Sequence, residues 1–117
     1  MLVPTLRTAD VPTLARHLTD VLGLVPGHVS ADHAELFWAD GAVQLGPRRP
    51  DDPFDTGRAV LYLVLDDPDA HHDRVAAAGA TVTMGLTDQP YGSREFAVRD
   101  AEGNLWCFGT YHPSATG

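Results

Sequence analysis

The chain contains no lysine and no isoleucine, and its single cysteine is Cys107. One thiol cannot close an internal disulfide and fits a reducing cytoplasm. Basic residues are scarce, 8 against 16 acidic, and all 8 are arginine. The net charge of −8 opposes contact with phosphate backbones, so no nucleic-acid partner is expected. It favours a cationic partner, although an acidic surface also serves solubility alone. Long apolar runs are missing too. No stretch approaches the roughly 20 apolar residues of a membrane span. The opening MLVPTLRTAD lacks the basic start and apolar run of a signal peptide. A cytoplasmic location without membrane association is the expectation. Missing lysine and isoleucine point to a GC-rich coding sequence, a property of the genome rather than of function.

What is present is 117 residues with an apolar share of 44%. That is too apolar for a disordered chain and long enough for one domain that buries roughly two-thirds of its unfolded surface. The chain repeats a rhythm. A strand at Leu2–Thr8 leads to a helix from Asp10 to Leu22, with Asp10 as N-cap, Pro12 in the first turn and Gly23 past the end. Short strands follow near Val25–Ser30, Ala34–Ala39 and Ala42–Leu45, the last two joined at the turn signal Asp40-Gly41. Residues 47–57 carry three prolines and no periodicity, as a linker does. The second half repeats the order: strand Arg58–Leu65, N-cap at Asp66 or Asp67, Pro68, a helix ending at Gly79. Strands then fall near Ala80–Met84, Ser93–Arg99 and Asn104–Thr110. Two tandem βαβββ modules, about 1–46 and 58–112, imply an α+β fold. Neither module is large enough to bury its own face, so curved mixed sheets around a cavity are expected.

The stretch QPYGSREFAVRDAEGNLWCFGTY, Gln89 to Tyr111, resembles the closing motif of the vicinal-oxygen-chelate superfamily. That group includes glyoxalase I, fosfomycin-resistance enzymes, extradiol dioxygenases and bleomycin-resistance proteins. The segment is most similar to the bleomycin-resistance form Q-P-aromatic-G-x-E-F-A-x-R-D-P-x-G-N, with Asp100-Ala101 in place of D-P. The opening VPTLRTADVPTLARHLTDVLGL, Val3 to Leu24, resembles the start of the same family. The resemblance covers nearly the whole chain and is specific for the fold, whereas one fold carries many functions.

Metal-dependent members of that superfamily place His, Gln or Glu on the first and last strands of each half. The resemblance puts Val3, the window Ala59–Leu61, Gln44 and Cys107 at those places. One amide and one thiol are a poor donor set for a divalent ion with open positions. No cofactor and no metal site are therefore expected. The histidines offer no replacement: His71 and His72, with Asp69 and Asp73, read as a solvated helix face, and His28 and His33 as a weak surface pair.

The resemblance instead implies a metal-free binding protein, paired as a homodimer with the first strand exchanged around Pro4 and a crevice at the interface. Such a protein would sequester a planar or cationic antibiotic-like compound, a role that suits an actinobacterial source. Candidate ligand-binding residues are His33, Glu35, Phe37, Trp38, Gln44, Tyr91, Arg94 and Cys107. Tyr91 and His33 stand where the family has flat aromatic rings, and Trp38 fits either the cavity or the core. By strand alternation Glu35 and Phe37 share one face, Leu36 and Trp38 the other. Trp106 should face away from Cys107 and pack on a helix. The competing reading is an enzyme, either a glyoxalase-like metal-dependent lyase or transferase, or a cofactor-free isomerase using Glu35, Glu95 or Cys107. A third is an interaction module whose cavity is filled by side chains.

Overall fold

The computed structural model describes residues 1–114. Its elements run β1 (Thr5–Thr8), α1 (Val11–Asp20), β2 (Val25–Val29), β3 (Ala34–Trp38) and β4 (Gly41–Pro47). The second set is β5 (Val60–Val64), α2 (Pro68–Ala77), β6 (Thr81–Asp88), β7 (Arg94–Arg99) and β8 (Leu105–Gly109). The sheets have the orders β1-β4-β3-β2 and β5-β8-β7-β6. In each, the first strand lies parallel to the last and the remaining pairs are antiparallel. The chain is thus an α+β fold of two βαβββ modules.

Each helix starts for the same reason. The Asp10 carboxylate accepts from the Thr13 N–H at 3.1 Å, and the Asp67 carboxylate accepts from Ala70 N–H at 3.1 Å. Asp67, not Asp66, is therefore the second cap. The register then makes Thr5 and Tyr62 equivalent, each five residues before its cap. After α2, Gly79 takes φ +95°, and Ala80 N–H closes on the Val75 carbonyl at 3.0 Å.

Most element ends lie within two residues of expectation, and two differ by more. The first strand begins at Thr5, leaving Leu2 and Val3 outside the sheet, with Leu2 92% exposed. Of this arm, the Pro4 carbonyl accepts the Gln44 N–H at 2.9 Å. In the second module, β6 continues past Met84 to Asp88, and its register against β7 shifts on either side of Met84. The alternation of Val82, Met84 and Leu86 carries on through this continuation, with Gly85 on the opposite face.

One side of each sheet is sealed by its helix. Leu14, Leu18, Leu36 and Leu45 from the first module and Phe96, Val98, Trp106 and Phe108 from the second are buried in one continuous core. Phe96 and Phe108 stack at 5.1 Å. Trp106 is core, as alternation requires, and its indole N–H donates to Asp100 at 2.8 Å.

The His71-His72 pair is not a solvated face. His71 is half-buried, with its ring 5.2 Å from Trp38 and 4.7 Å from Phe108, and His72 meets the edge of Phe96 at 5.3 Å. Polar by composition, both rings pack as aromatics because α2 lies across its sheet and against the end of α1. The His71 Nε2–H donates to the Leu22 carbonyl at 2.9 Å, a bond between modules. Glu102 adds a second, accepting from Ala9 N–H at 2.9 Å and from Arg48 at 3.3 Å.

Candidate functional site

With helices on one side of each sheet, strand alternation assigns every other residue to the open side. On β8, Trp106 and Phe108 point to the helix, so Cys107 and Gly109 do not. The register pairs Tyr62 with Cys107 and Glu95 with Gly109, which collects Tyr62, Glu95 and Cys107 on one open face. Gly109 is the floor of this cluster. A Cβ there would collide with the Tyr62 hydroxyl and lie 2.7 Å from the Glu95 Cγ.

The Glu95 carboxylate is only 5% exposed, yet it sits among aromatic rings rather than beside a cation. The Tyr62 hydroxyl donates to one oxygen at 2.6 Å and the Tyr91 hydroxyl to the other at 2.7 Å. Tyr62 in turn accepts the Tyr111 N–H at 3.2 Å and stands 3.1 Å from the Ser93 hydroxyl. Tyr91 and Tyr111 meet edge to face at 5.9 Å. Burial pushes the Glu95 carboxyl up, but the phenol and serine hydrogen bonds outweigh it and hold the group below its ordinary value. The same bonds raise the phenols: Tyr91 is pushed up to about 12 by its bond to Glu95, and Tyr62 rises through burial and the same carboxylate. Burial, and then Glu95, raise the Cys107 thiol. An ionised carboxylate thus holds two protonated phenols in fixed positions beside a protonated thiol.

The open face of the first sheet carries Thr5, Arg7, Glu35, Phe37 and Gln44. Arg7 lies across Gly46, where any Cβ would strike its guanidinium, and pairs with Asp52 at 3.1 Å. A hollow of about 610 Å³ opens beside it, lined by His33, Gln44, Arg49 and Phe54 among others. His33 and Glu35 stand 3.8 Å apart. A second, more apolar space of about 280 Å³ lies between the modules, bounded by Pro4, Leu36, Trp38, Leu61 and Trp106.

The sequence-derived site residues therefore fall into three groups. Tyr91 and Cys107 share the open face of the second sheet; His33, Glu35, Phe37 and Gln44 share that of the first. Trp38 and Arg94 point to the helix side. Trp38 is wedged between modules, and Arg94 is tied to Asp69 at 2.7 Å and Asp88 at 3.1 Å. Those two carboxylates raise the Arg94 guanidinium above its ordinary value. Sequence reasoning missed Tyr62, Tyr111 and Gly109. The alternation in Val60–Val64 and the equal distances of Thr5 and Tyr62 from their caps were the available signals.

The family model of the Glyoxalase/Bleomycin resistance protein/Dioxygenase superfamily matches residues 2–108. The chain belongs to this superfamily. Among solved structures, it is similar to TioX from Micromonospora sp. ML1, at 28% identity and a TM-score of 0.79 over 95% of this chain and 98% of that one. It is similar also to the bleomycin-binding protein from bleomycin-producing Streptomyces verticillus, crystallised with copper(II)-bleomycin. That match has 28% identity and a TM-score of 0.73 and covers 95% of both chains. A protein of Mycobacterium bovis is 41% identical over 49 residues, which span 42% of this chain and 32% of its relative.

Membership in the superfamily raises the question of a metal. On the open faces Gln44 of β4 pairs with Thr5 of β1, and Cys107 of β8 pairs with Tyr62 of β5, so these four side chains are the donors at the paired strands. Val3 lies outside the sheet, and Leu61 faces the helix side. A hydroxyl, an amide, a phenol and a thiol held protonated by its surroundings contain no carboxylate or imidazole. They do not fit a divalent ion that needs charged or imidazole donors. Among the described residues, no group of three or more His, Cys, Asp or Glu side chains converges on a point suited to an ion. No helix of the described chain is long and apolar enough to cross a membrane.

Proposed function

We propose that this superfamily member binds and sequesters a planar or cationic antibiotic-like compound, without a metal and without chemical change. The observation that carries this reading is the Tyr62–Glu95–Tyr91 cluster, an enclosed negative charge framed by partly exposed rings on an open sheet face. Flat rings supply stacking area, and the carboxylate supplies charge without a protein counter-ion. The similarity to a bleomycin-binding protein over nearly the whole chain supports it.

The crevice would be completed by a second copy of the chain. Met1 and Leu2 are 83% and 92% exposed, and Val60, at the edge of the open face, is 70% exposed. An apolar arm stiffened by Pro4, whose Leu2 and Pro4 border the same hollow as Leu61 and Tyr62 of β5, supports exchange of the first strand between protomers. Replacing Leu2 and Val3 by glutamate should then convert a dimer to a monomer in sedimentation equilibrium. Calorimetric titration with bleomycin and with planar DNA-intercalating antibiotics tests the binding itself. Saturable binding with the compound recovered intact is expected; no heat with any of them would overturn the reading.

An enzyme is the second reading, as a glyoxalase-like metal-dependent lyase or transferase or as a cofactor-free isomerase. The raised Cys107 thiol is a poor nucleophile, and Glu95 is occupied by two donors, which favours binding over proton transfer. About one tightly held divalent ion per purified chain, found by elemental analysis, would reverse that preference.

A further inference from the structure

Resting on the binding reading of this face, we propose that the Glu95 cluster selects cations that carry no N–H, such as quaternary or ring-delocalised ammonium groups, over primary ammonium groups. The reason lies in how the carboxylate is occupied. Its Oε2 accepts from Tyr62 and its Oε1 from Tyr91, both at short range. Neither oxygen is turned outward, since the side chain is enclosed to 5% exposure. The Tyr62 oxygen is used as well, by the Tyr111 N–H and Ser93.

The charge itself is not neutralised. No ion pair among the described residues includes Glu95. Arg94, its neighbour in sequence, lies on the other side of the sheet with Asp69 and Asp88, and Arg99 bonds the Gly103 carbonyl at the far end of β7. What the face offers a ligand is therefore negative potential delivered through two rings, Tyr62 and Tyr91, 40% and 59% exposed, with the half-exposed Tyr111 ring edge-on to Tyr91. A phenol donating to a carboxylate gains electron density, which makes its ring face a better partner for a cation.

A primary ammonium group carries three N–H donors that must be satisfied once water is removed. Of the roughly four acceptor sites of a carboxylate, Tyr62, Tyr91, Ser93 and Gln89 draw on the set, and the side chain is enclosed, so such a group would lose hydration with little replacement. A quaternary or N-alkylated aromatic cation has no N–H to satisfy and keeps the whole electrostatic gain. The cluster thus discriminates by donor count, not by charge alone.

Three probes of similar size separate these terms in calorimetry at pH 8: N-methylquinolinium, neutral quinoline and 1-naphthylmethylammonium. The wild-type protein should prefer N-methylquinolinium over each of the others by about fivefold or more. Glu95→Gln should bring N-methylquinolinium and quinoline to within about twofold. Tyr91→Phe keeps a ring but removes one donor from the carboxylate and opens an acceptor site, so 1-naphthylmethylammonium should gain about fivefold relative to N-methylquinolinium. Tyr91 lies in an exposed turn, and this variant carries the test if Glu95→Gln does not fold. Equal wild-type binding of all three probes overturns the selectivity alone, as does a Tyr91→Phe variant with an unchanged preference. Failure of every probe, and of the antibiotics above, to bind overturns the binding reading with it.

Discussion

The indole N–H of Trp38, at the end of β3, donates a 2.9 Å hydrogen bond to the carbonyl of Val64, at the end of β5. The same ring meets Phe108 edge to face at 5.3 Å. One side chain thus joins the two modules by a polar and an apolar contact. Trp38→Phe retains much of the packing and removes the donor. It should cost about 1 kcal/mol of unfolding free energy, with Trp38→Ala costing about 3–5 kcal/mol. Urea denaturation followed by circular dichroism measures both.

His71 makes the same joint sensitive to pH. Burial lowers its basicity, and neighbouring Arg74 adds to that against the opposing bond to Leu22. The folded value thus lies below the unfolded one, near 6.5. The unfolded state binds the proton more readily, so this contribution is complete above about pH 6.5 and fades as pH falls through the folded value. Unfolding midpoints measured between pH 8 and pH 5 should show the decline. His71→Gln, which can still donate to Leu22, should flatten it.

Asp100 explains the closing motif in physical terms. Its carboxylate accepts from the backbone N–H groups of Glu102 (2.9 Å) and Asn104 (3.0 Å), from the Asn104 amide (3.0 Å) and from the Trp106 indole (2.8 Å). Asn104 then accepts the Ala59 N–H at 2.8 Å, which fixes the start of β5. Asp100→Ala strands four donors at once and should destabilise by about 3–5 kcal/mol. Asp100→Asn should lose less, since one acceptor oxygen remains. Thermal melting of the two variants side by side checks the order.

Gly109 is required by the tyrosine–carboxylate cluster rather than by its backbone. Gly109→Ala places a methyl against Tyr62 and Glu95. Displacing them should cost about 1–3 kcal/mol of stability and weaken cation binding further than the stability loss alone. Titrating the variant with N-methylquinolinium below its unfolding midpoint separates the two effects.

Most of the fold was legible in the chain because caps, turns and apolar alternation are local. Asp10 and Pro12 start one helix, Asp67 and Pro68 the other, and Gly23 and Gly79 end them. The site was legible only in part. Tyr91 and Cys107 were singled out by their place in the motif and do share a face. Tyr62 was not, because its role depends on a one-residue choice of register that sequence similarity between the halves leaves open. A shift of one residue in a strand exchanges its two faces. Arg94 and Trp38 lie on the helix side because each alternates with a residue of the open face, Glu95 and Phe37.

The scarcity of basic residues, like the single thiol, is fixed in the sequence. So are the two-module rhythm and the motif that places the chain in its superfamily. Where the charge of −8 acts is a tertiary matter. Most carboxylates are paired with arginines, cap helices or lie in solvent, whereas Glu95 is enclosed beside rings drawn from β5, the turn before β7 and the segment after β8. Parallel pairing of β5 with β8 brings those distant segments together, and no local pattern encodes which face of that pair is left open.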